Sequence, residues 1–339
     1  WSGRQRFEYR YRILVCVTIL QALMNPIASL VLIRMNGGTA MMRILGIVGV
    51  QICICVPIIV FQFCKGKEFF SKEYWGYALR IGIPIVPHYL SGIILNQGDR
   101  IMIDKMVGKT EVALYGLAYS IRMLVQLYNS SMNSALTPWM YSKIKKGDIR
   151  SMRKVLQLLS IVVVGIAVAL MLISPELVLI FGSPKYREAV YVIPPVAASV
   201  FFIFIYNILS MPQFYYEKTQ FLMAASMAAA GANVVLNFIF IRLFGYIAAG
   251  YTTLACYMLY SVGHYIVSKR ILVNEGIQEN LMSPGFLVAC SAFLIGASII
   301  CNLIFPYRIL RYAILLASAG LVFWKKELLL KTMADIRKK

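Results

Sequence analysis

The sequence predicts an all-α polytopic membrane protein with about ten transmembrane helices, and three observations support this fold class. Apolar residues make up 60% of the 339-residue chain and charged residues only 14%, whereas about a quarter of the residues in soluble domains are charged. The mean hydropathy is +0.73. The charged residues also cluster between apolar stretches that are long enough to cross a bilayer. These observations exclude a soluble enzyme, a disulfide-rich secreted domain and a disordered chain.

Ten apolar segments account for the predicted helices, and the loops between them are too short to fold as separate domains. The segments cover residues 12–34, 43–64, 77–97, 111–137, 155–174, 189–211, 219–241, 245–267, 284–305 and 309–324. An even number of spans returns the chain to its starting side. About two-thirds of the 34 Lys and Arg residues then lie on the side of the termini, which predicts that both termini are cytoplasmic.

The net charge of +20 is interpreted as contacts with membrane lipids, and no nucleic-acid partner is expected. The segment 65–76 mixes lysines with aromatic residues, which predicts an interfacial helix that joins two halves of the protein. No complete nucleotide-binding, metal-binding or catalytic motif is present in the chain. We therefore expect no cofactor, no metal and no catalytic residue.

The fourth segment carries six polar residues at a spacing of three or four. They are Tyr115, Tyr119, Arg122, Gln126, Asn129 and Asn133. This spacing puts them on one face of a helix. That face must contact protein or water, because lipid cannot satisfy its hydrogen bonds. Two interpretations remain open: a packed polar seam in which Arg122 pairs with a carboxylate or with carbonyls, and the cationic wall of a hydrated cavity.

The third segment favours the cavity, because Arg80, His88 and Ser91 also share one helix face. Pro84 and Pro87 predict a kink in the same helix. The residues of both stripes are therefore predicted to line a substrate cavity, with Arg80 near the cytoplasmic entrance and His88 near the depth of Arg122.

Three polar residues follow at the outer end of the third segment. They are Asn96, Asp99 and Arg100, and they are predicted to lie at the outer mouth of the cavity, with a local Asp99–Arg100 ion pair as the alternative. None of the 14 acidic residues is predicted to lie well inside a span.

Several stretches resemble bacterial polysaccharide flippases, which transport O-antigen or capsule repeat units. These flippases form the oligosaccharide flippase family of the multidrug/oligosaccharidyl-lipid/polysaccharide exporter superfamily. The resemblance covers residues 77–270 and rests on four groups of motifs. They are IPIVPHYLS at 83–91 with LNQ at 95–97 and DR at 99–100; SALTPW at 134–139; SPE at 174–176 with Phe181, Gly182 and Tyr186; and NVVLN at 233–237 with FG at 244–245 and AAG at 248–250.

The resemblance implies fourteen helices, arranged as two six-helix lobes that face each other across a cavity, plus two further helices. This chain would supply helices five to fourteen and would be truncated at its N-terminus, with most of the first lobe missing. Residues 1–64 would be the last two helices of the N-lobe and 65–76 a cytoplasmic linker. Residues 77–267 would be the six-helix C-lobe, and 268–339 two additional helices and a basic cytoplasmic tail.

The resemblance also implies a function: the flipping of undecaprenyl-pyrophosphate-linked oligosaccharides across the bacterial inner membrane by alternating access. The product would serve O-antigen, capsule or exopolysaccharide biosynthesis, with a polysaccharide polymerase and chain-length proteins as partners. Arginines suit this substrate because they pair bidentately with phosphate, while tyrosine and asparagine side chains can contact sugars.

Two alternatives remain. A drug or cation antiporter of the same superfamily would favour a carboxylate within the membrane, and none is predicted in this chain. A membrane-embedded polysaccharide polymerase or ligase would need a sizeable external loop with catalytic residues, and the predicted external loops are short.

Overall fold

The computed structural model describes residues 1–35, 40–67 and 70–324, and in this part of the chain every regular element is a helix. The α-helices are α1 Ser2–Phe7, α2 Tyr11–Met35, α3 Ala40–Gly66, α4 Lys72–Met106, α5 Lys109–Lys145, α6 Ile149–Leu172, α7 Ser174–Phe181, α8 Ile193–Tyr215, α9 Thr219–Phe244, α10 Ala248–Asn274, α11 Pro284–Ile304 and α12 Arg308–Trp324. A 3-10 helix, Pro184–Tyr191, lies between α7 and α8.

Seven of the described helices are long and apolar enough to span a membrane: α2, α3, α4, α6, α8, α9 and α11. The chain is thus an all-α polytopic membrane protein. The other three predicted spans also form helices, α5, α10 and α12, but do not meet the same criteria. Polar side chains on α5 and α10 lower their mean hydropathy, and α12 has only 17 residues.

The chain divides into two compact units, residues 1–79 and 80–339. The predicted linker, 65–76, contains Glu68 and Phe69, which lie outside the described residues, and α4 begins within it at Lys72. The predicted basic tail after residue 324 also lies outside the described residues. The assignment of lobes to these ranges stays a prediction.

In the C-terminal unit, α8 is the central helix. It is apolar on all sides and buried along most of its length, as expected for a helix surrounded by other helices. It packs against α5, α6, α10 and α11. The polar face of α5 therefore turns toward the interior of this unit.

In the N-terminal unit, α2 packs against α3, and close contact is made at Gly46. A β-carbon added there would lie 2.6 Å from the Cα of Ser29, whereas one added at Gly49 would meet no atom within 4 Å. The Ser29 hydroxyl also donates to the carbonyl of Arg43 across this contact, at 3.2 Å. The glycine thus allows the two backbones to approach closely.

We expect Gly46→Ala to destabilise the α2–α3 pair by about 1–3 kcal/mol, because overpacking forces the backbones apart. Gly49→Ala is the matched control and should be neutral or slightly stabilising, since alanine is the better helix former. Thermal unfolding of the purified protein in detergent would measure both. Equal melting temperatures for the two variants would contradict the close contact.

An ion pair connects α12 to α7. The Arg311 guanidinium donates to both carboxylate oxygens of Glu176, each at 2.8 Å, and the Tyr312 hydroxyl donates to Oε1 at 2.8 Å. Partial burial acts to raise the pKa of the Glu176 carboxyl, but the hydrogen bonds from Arg311 and Tyr312 outweigh it and lower this pKa below its usual value.

A carboxyl group whose pKa is lowered by folding stabilises the fold above its unfolded pKa. That contribution disappears as the pH falls through the lower folded value. We therefore expect the melting temperature of the wild type to fall by a few degrees more than that of Glu176→Gln between about pH 6 and about pH 3, a window that brackets the usual glutamate pKa. Parallel thermal scans at the two pH values would measure the difference. Equal decreases in the melting temperatures of wild type and Glu176→Gln would show that the Glu176–Arg311 pair does not stabilise the protein.

Candidate functional site

The candidate site is a polar network around Asp99, a residue of α4 with no exposed surface. The hydroxyls of Tyr115, Tyr119 and Thr253 donate to Oδ2 at 2.6, 3.0 and 2.7 Å. The Asn237 amide donates to Oδ1 at 2.6 Å. These donors come from α5, α9 and α10, and no described basic side chain forms a salt bridge with Asp99. The buried carboxylate is therefore satisfied by four neutral donors.

The network continues along α9 and α10. The Thr252 hydroxyl donates to the side-chain Oδ1 of Asn237. The side-chain Nδ2 of Asn237 also donates to Asn233 Oδ1, at 3.2 Å. Carboxylate, amide and hydroxyl oxygens are ligands of hard cations. Here, however, protein donors occupy the carboxylate, and no group of three His, Cys, Asp or Glu residues that could hold a metal occurs within the described ranges. We assign no metal to it.

Arg122 lies on the same face of α5 and is 3% exposed. Its Nη2 donates to Asn96 Oδ1 at 2.8 Å, and its Nη1 lies 3.5 Å from Ser199 Oγ. The guanidinium carbon is 4.4 Å from the centroid of the Tyr119 ring, a cation–π contact. Since the hydroxyl of that ring donates to Asp99, Tyr119 connects the buried cation to the buried anion without a direct ion pair.

The stripe predicted on α5 lies on the protein side of the helix. Tyr115, Tyr119, Arg122 and Asn129 are buried, and the Asn129 amide donates to the carbonyl of Val200 on α8 at 2.8 Å. In this structure Arg122 therefore does not form an open cavity wall. The reason is that Asn96, Ser199 and the Tyr119 ring enclose its guanidinium. The other two residues of the stripe, Gln126 and Asn133, remain partly exposed.

The predicted residues of the third segment separate along α4. Arg80 is exposed and lines a cavity of about 360 Å³ with Lys218 and its neighbours in the α8–α9 connection. His88 is partly exposed, and its Nδ1 lies 3.0 Å from the Tyr260 hydroxyl. Ser91 is buried, and its hydroxyl donates within the helix to the carbonyl of Pro87, at 2.7 Å. Arg80 and Asn96 are about 24 Å apart along the helix axis. The structure thus does not bring Arg80 and Arg122 into one cluster.

Asp99 is completely buried in this structure, and the assignment of Asn96, Asp99 and Arg100 to an outer mouth stays a prediction. The alternative of an Asp99–Arg100 ion pair is wrong, because these two described side chains form no salt bridge and adjacent side chains on a helix diverge. Arg100 instead lies 3.5 Å from Gln97 and 5.2 Å from the Tyr119 ring centroid. Asn96 is partly buried and binds Arg122. Asp99 lies about 10 Å before the end of α4, a helix of 35 residues, and the expectation that no acidic residue lies well inside a span stays a prediction.

Sequence reasoning missed two groups of residues. The first is the set of donors to Asp99 on α9 and α10, for which the i,i+4 spacing of Asn233 and Asn237 was the available signal. The second is a buried contact between His264 Nδ1 and Gln213 Nε2, at 2.8 Å, beside the ring of Tyr206. The spacing of polar residues along a helix shows which face they share, but it does not identify their partners.

Two family models match overlapping parts of the chain. The model described as polysaccharide biosynthesis protein matches residues 5–145, and the model described as MatE matches residues 84–239. Each match covers less than half of the 339 residues, and over these ranges the chain is similar to polysaccharide biosynthesis and MatE proteins, in agreement with the resemblance to the exporter superfamily. This similarity supports a role as a membrane transporter.

Two curated relatives of this chain come from Haemophilus influenzae. A protein of the Lsg locus is 28% identical over 172 residues, which cover 48% of this chain and 41% of the relative. A protein described as an uncharacterized membrane protein is 28% identical over 167 residues, which cover 46% of this chain and 40% of the relative. The chain thus spans about two-fifths of the length of each relative. No solved structure matches it significantly.

Proposed function

We propose that this protein flips undecaprenyl-pyrophosphate-linked oligosaccharide repeat units across the bacterial inner membrane for O-antigen, capsule or exopolysaccharide biosynthesis. In this proposal both termini lie in the cytoplasm, as the distribution of Lys and Arg residues predicts. The family match to polysaccharide biosynthesis proteins supports the substrate class. A polysaccharide polymerase and chain-length proteins are the expected partners.

The observation that carries the proposal is the burial of Arg122 and Asp99 within the helices of a membrane protein. Ionisable side chains in the membrane interior cost several kcal/mol and are characteristic of transport pathways. A purely structural bundle would not need both a buried carboxylate and a buried guanidinium. The network connects α4, α5, α9 and α10, so movement of one of these helices changes the hydrogen bonds of the others.

We assign the substrate contacts by exposure. Arg80 pairs with the pyrophosphate at the cytoplasmic end of α4, because it is exposed and lines a cavity whose wall also contains Lys218, although Glu217 in the same wall offsets one of these two positive charges. His88, Gln126 and Asn133 are partly exposed and contact the sugars. The buried residues of the network, Ser91, Tyr115, Tyr119, Arg122 and Asn129, become accessible during alternating access.

Reconstitution tests this function directly. The protein is placed in lipid vesicles with a fluorescent undecaprenyl-pyrophosphate oligosaccharide, and exchange between leaflets is followed by quenching from outside. We expect exchange that is faster than in protein-free vesicles and that depends on the pyrophosphate. Exchange at the protein-free rate would contradict the proposal.

A drug or cation antiporter is the second candidate, and Asp99 is the observation that favours it. A buried carboxylate suits a cationic substrate or coupling ion better than an anionic one. Asp99 lies within the MatE match, which begins at residue 84, and also within the match to polysaccharide biosynthesis proteins. Uptake of an organic cation such as ethidium into the same vesicles under an ion gradient, without leaflet exchange of the lipid-linked sugar, would favour this candidate.

A further inference from the structure

A cavity of about 420 Å³ lies in the C-terminal unit where α7, the 3-10 helix and the α11–α12 connection meet. Its wall contains three arginines, Arg187, Arg308 and Arg311, and one acidic residue, Glu176. None of these residues belongs to the proposed transport site. The cavity therefore needs an explanation of its own.

The charges in this wall do not balance. Glu176 is fully engaged, because Arg311 binds both of its carboxylate oxygens and Tyr312 donates to one of them. Arg187 and Arg308 are exposed, and neither forms a salt bridge within the described part of the chain. The cavity thus presents two uncompensated guanidinium groups, which suit the geometry of a phosphate.

The surroundings of the cavity are apolar. The rings of Tyr191 and Phe305 lie in its wall with their centroids 5.9 Å apart. Nearby on α7 and α12, Ile180 is 73% exposed and Ile309 is 87% exposed. A free inorganic anion would gain nothing from this apolar border. A phospholipid would use both parts, since its phosphate lies directly beside its acyl chains.

We propose that this cavity binds the headgroup of an anionic phospholipid of the surrounding membrane. Arg187 and Arg308 pair with the phosphate, while Tyr191 and Phe305 contact the glycerol and the first part of the acyl chains. The Glu176–Arg311 pair forms a neutral floor that holds α7 against α12. The site is independent of the proposed transport function.

Native mass spectrometry of the detergent-purified protein tests the proposal, with phosphatidylglycerol and phosphatidylcholine of identical acyl chains as probes. We expect phosphatidylglycerol to bind at least about fivefold more tightly. Arg187→Gln and Arg308→Gln should each weaken phosphatidylglycerol binding by about fivefold, the effect of one surface basic residue on anionic lipid. Because both side chains are exposed, the substitutions should leave the fold intact, which thermal unfolding checks.

The matched control is the double variant Lys105→Gln/Lys109→Gln. It removes two exposed basic residues from the α4–α5 connection, at the same end of the bundle but outside the cavity wall. It should leave phosphatidylglycerol binding unchanged. If the control variant lost phosphatidylglycerol binding to the same extent, the total surface charge rather than the cavity would explain the binding, and the proposal would be overturned. The assignment to an anionic lipid would also be overturned if the protein bound inorganic phosphate while its affinity for phosphatidylglycerol did not exceed its affinity for phosphatidylcholine.

Discussion

Replacing Arg122 by alanine should reduce repeat-unit export by about 10- to 100-fold, because hydrogen bonds to charged groups contribute roughly 1.5–3 kcal/mol each. The change removes the donor to Asn96 and the cation over the Tyr119 ring. Complementation of a flippase-null strain, with protein levels measured by immunoblot, gives the result. Arg122→Lys should restore export only partly, since an ammonium group lacks the planar fork of the guanidinium.

The matched control for this experiment is Arg242→Ala on α9. Arg242 is exposed and stacks on the Phe238 ring at 3.9 Å, so its removal also deletes a guanidinium and a cation–π contact. We expect export to stay near normal in this control. Normal export by Arg122→Ala at normal protein levels would show that the buried guanidinium is not needed for transport.

Replacing Asp99 by alanine should have the largest effect on stability. Four donors from three helices would lose their shared acceptor, and a buried donor without a partner costs about 1–3 kcal/mol. Allowing for partial re-pairing, we expect a loss of about 3–6 kcal/mol. Unfolding of the purified protein by titration with sodium dodecyl sulfate measures this loss.

Two further variants make this test specific. Asp104→Ala removes an exposed carboxylate five residues along the same helix and should change the free energy of unfolding by less than about 0.5 kcal/mol. Asp99→Asn keeps the side-chain volume and one acceptor oxygen, so its stability should lie between those of wild type and Asp99→Ala. If Asp99→Ala and Asp104→Ala had the same free energy of unfolding, the hydrogen bonds around Asp99 would contribute nothing to the stability of the protein.

The helical fold and the inward direction of the α5 stripe could be predicted because both follow from local patterns. Apolar length and charge clustering mark spans, and the spacing of Tyr115, Tyr119 and Arg122 defines one helix face. The burial of this face follows from the inability of lipid to satisfy polar groups. No knowledge of neighbouring helices was needed for these conclusions.

The environment of Asp99 could not be predicted in the same way. Its position near the end of an apolar segment and beside Arg100 favoured a place at the outer mouth of the cavity, with an ion pair to Arg100 as the alternative. Thr253, one of its donors, is 154 residues away along the chain, and no local pattern connects the two. Side chains of α9 and α10 that reach Asp99 supply the donors that make burial of this carboxylate energetically acceptable.

The amino-acid sequence by itself determined that this protein is a bundle of membrane helices, which of its helices carry polar faces, and which superfamily it resembles. Only the tertiary structure decided that Asp99 is buried among neutral donors and that Arg122 is enclosed by Asn96, Ser199 and the Tyr119 ring. The physical reason is that the first set of properties depends on residues close together in the sequence, while the second depends on residues far apart in it. Hydrophobic periodicity is a property of consecutive residues, whereas the partners of a buried charge depend on helices that meet only after folding.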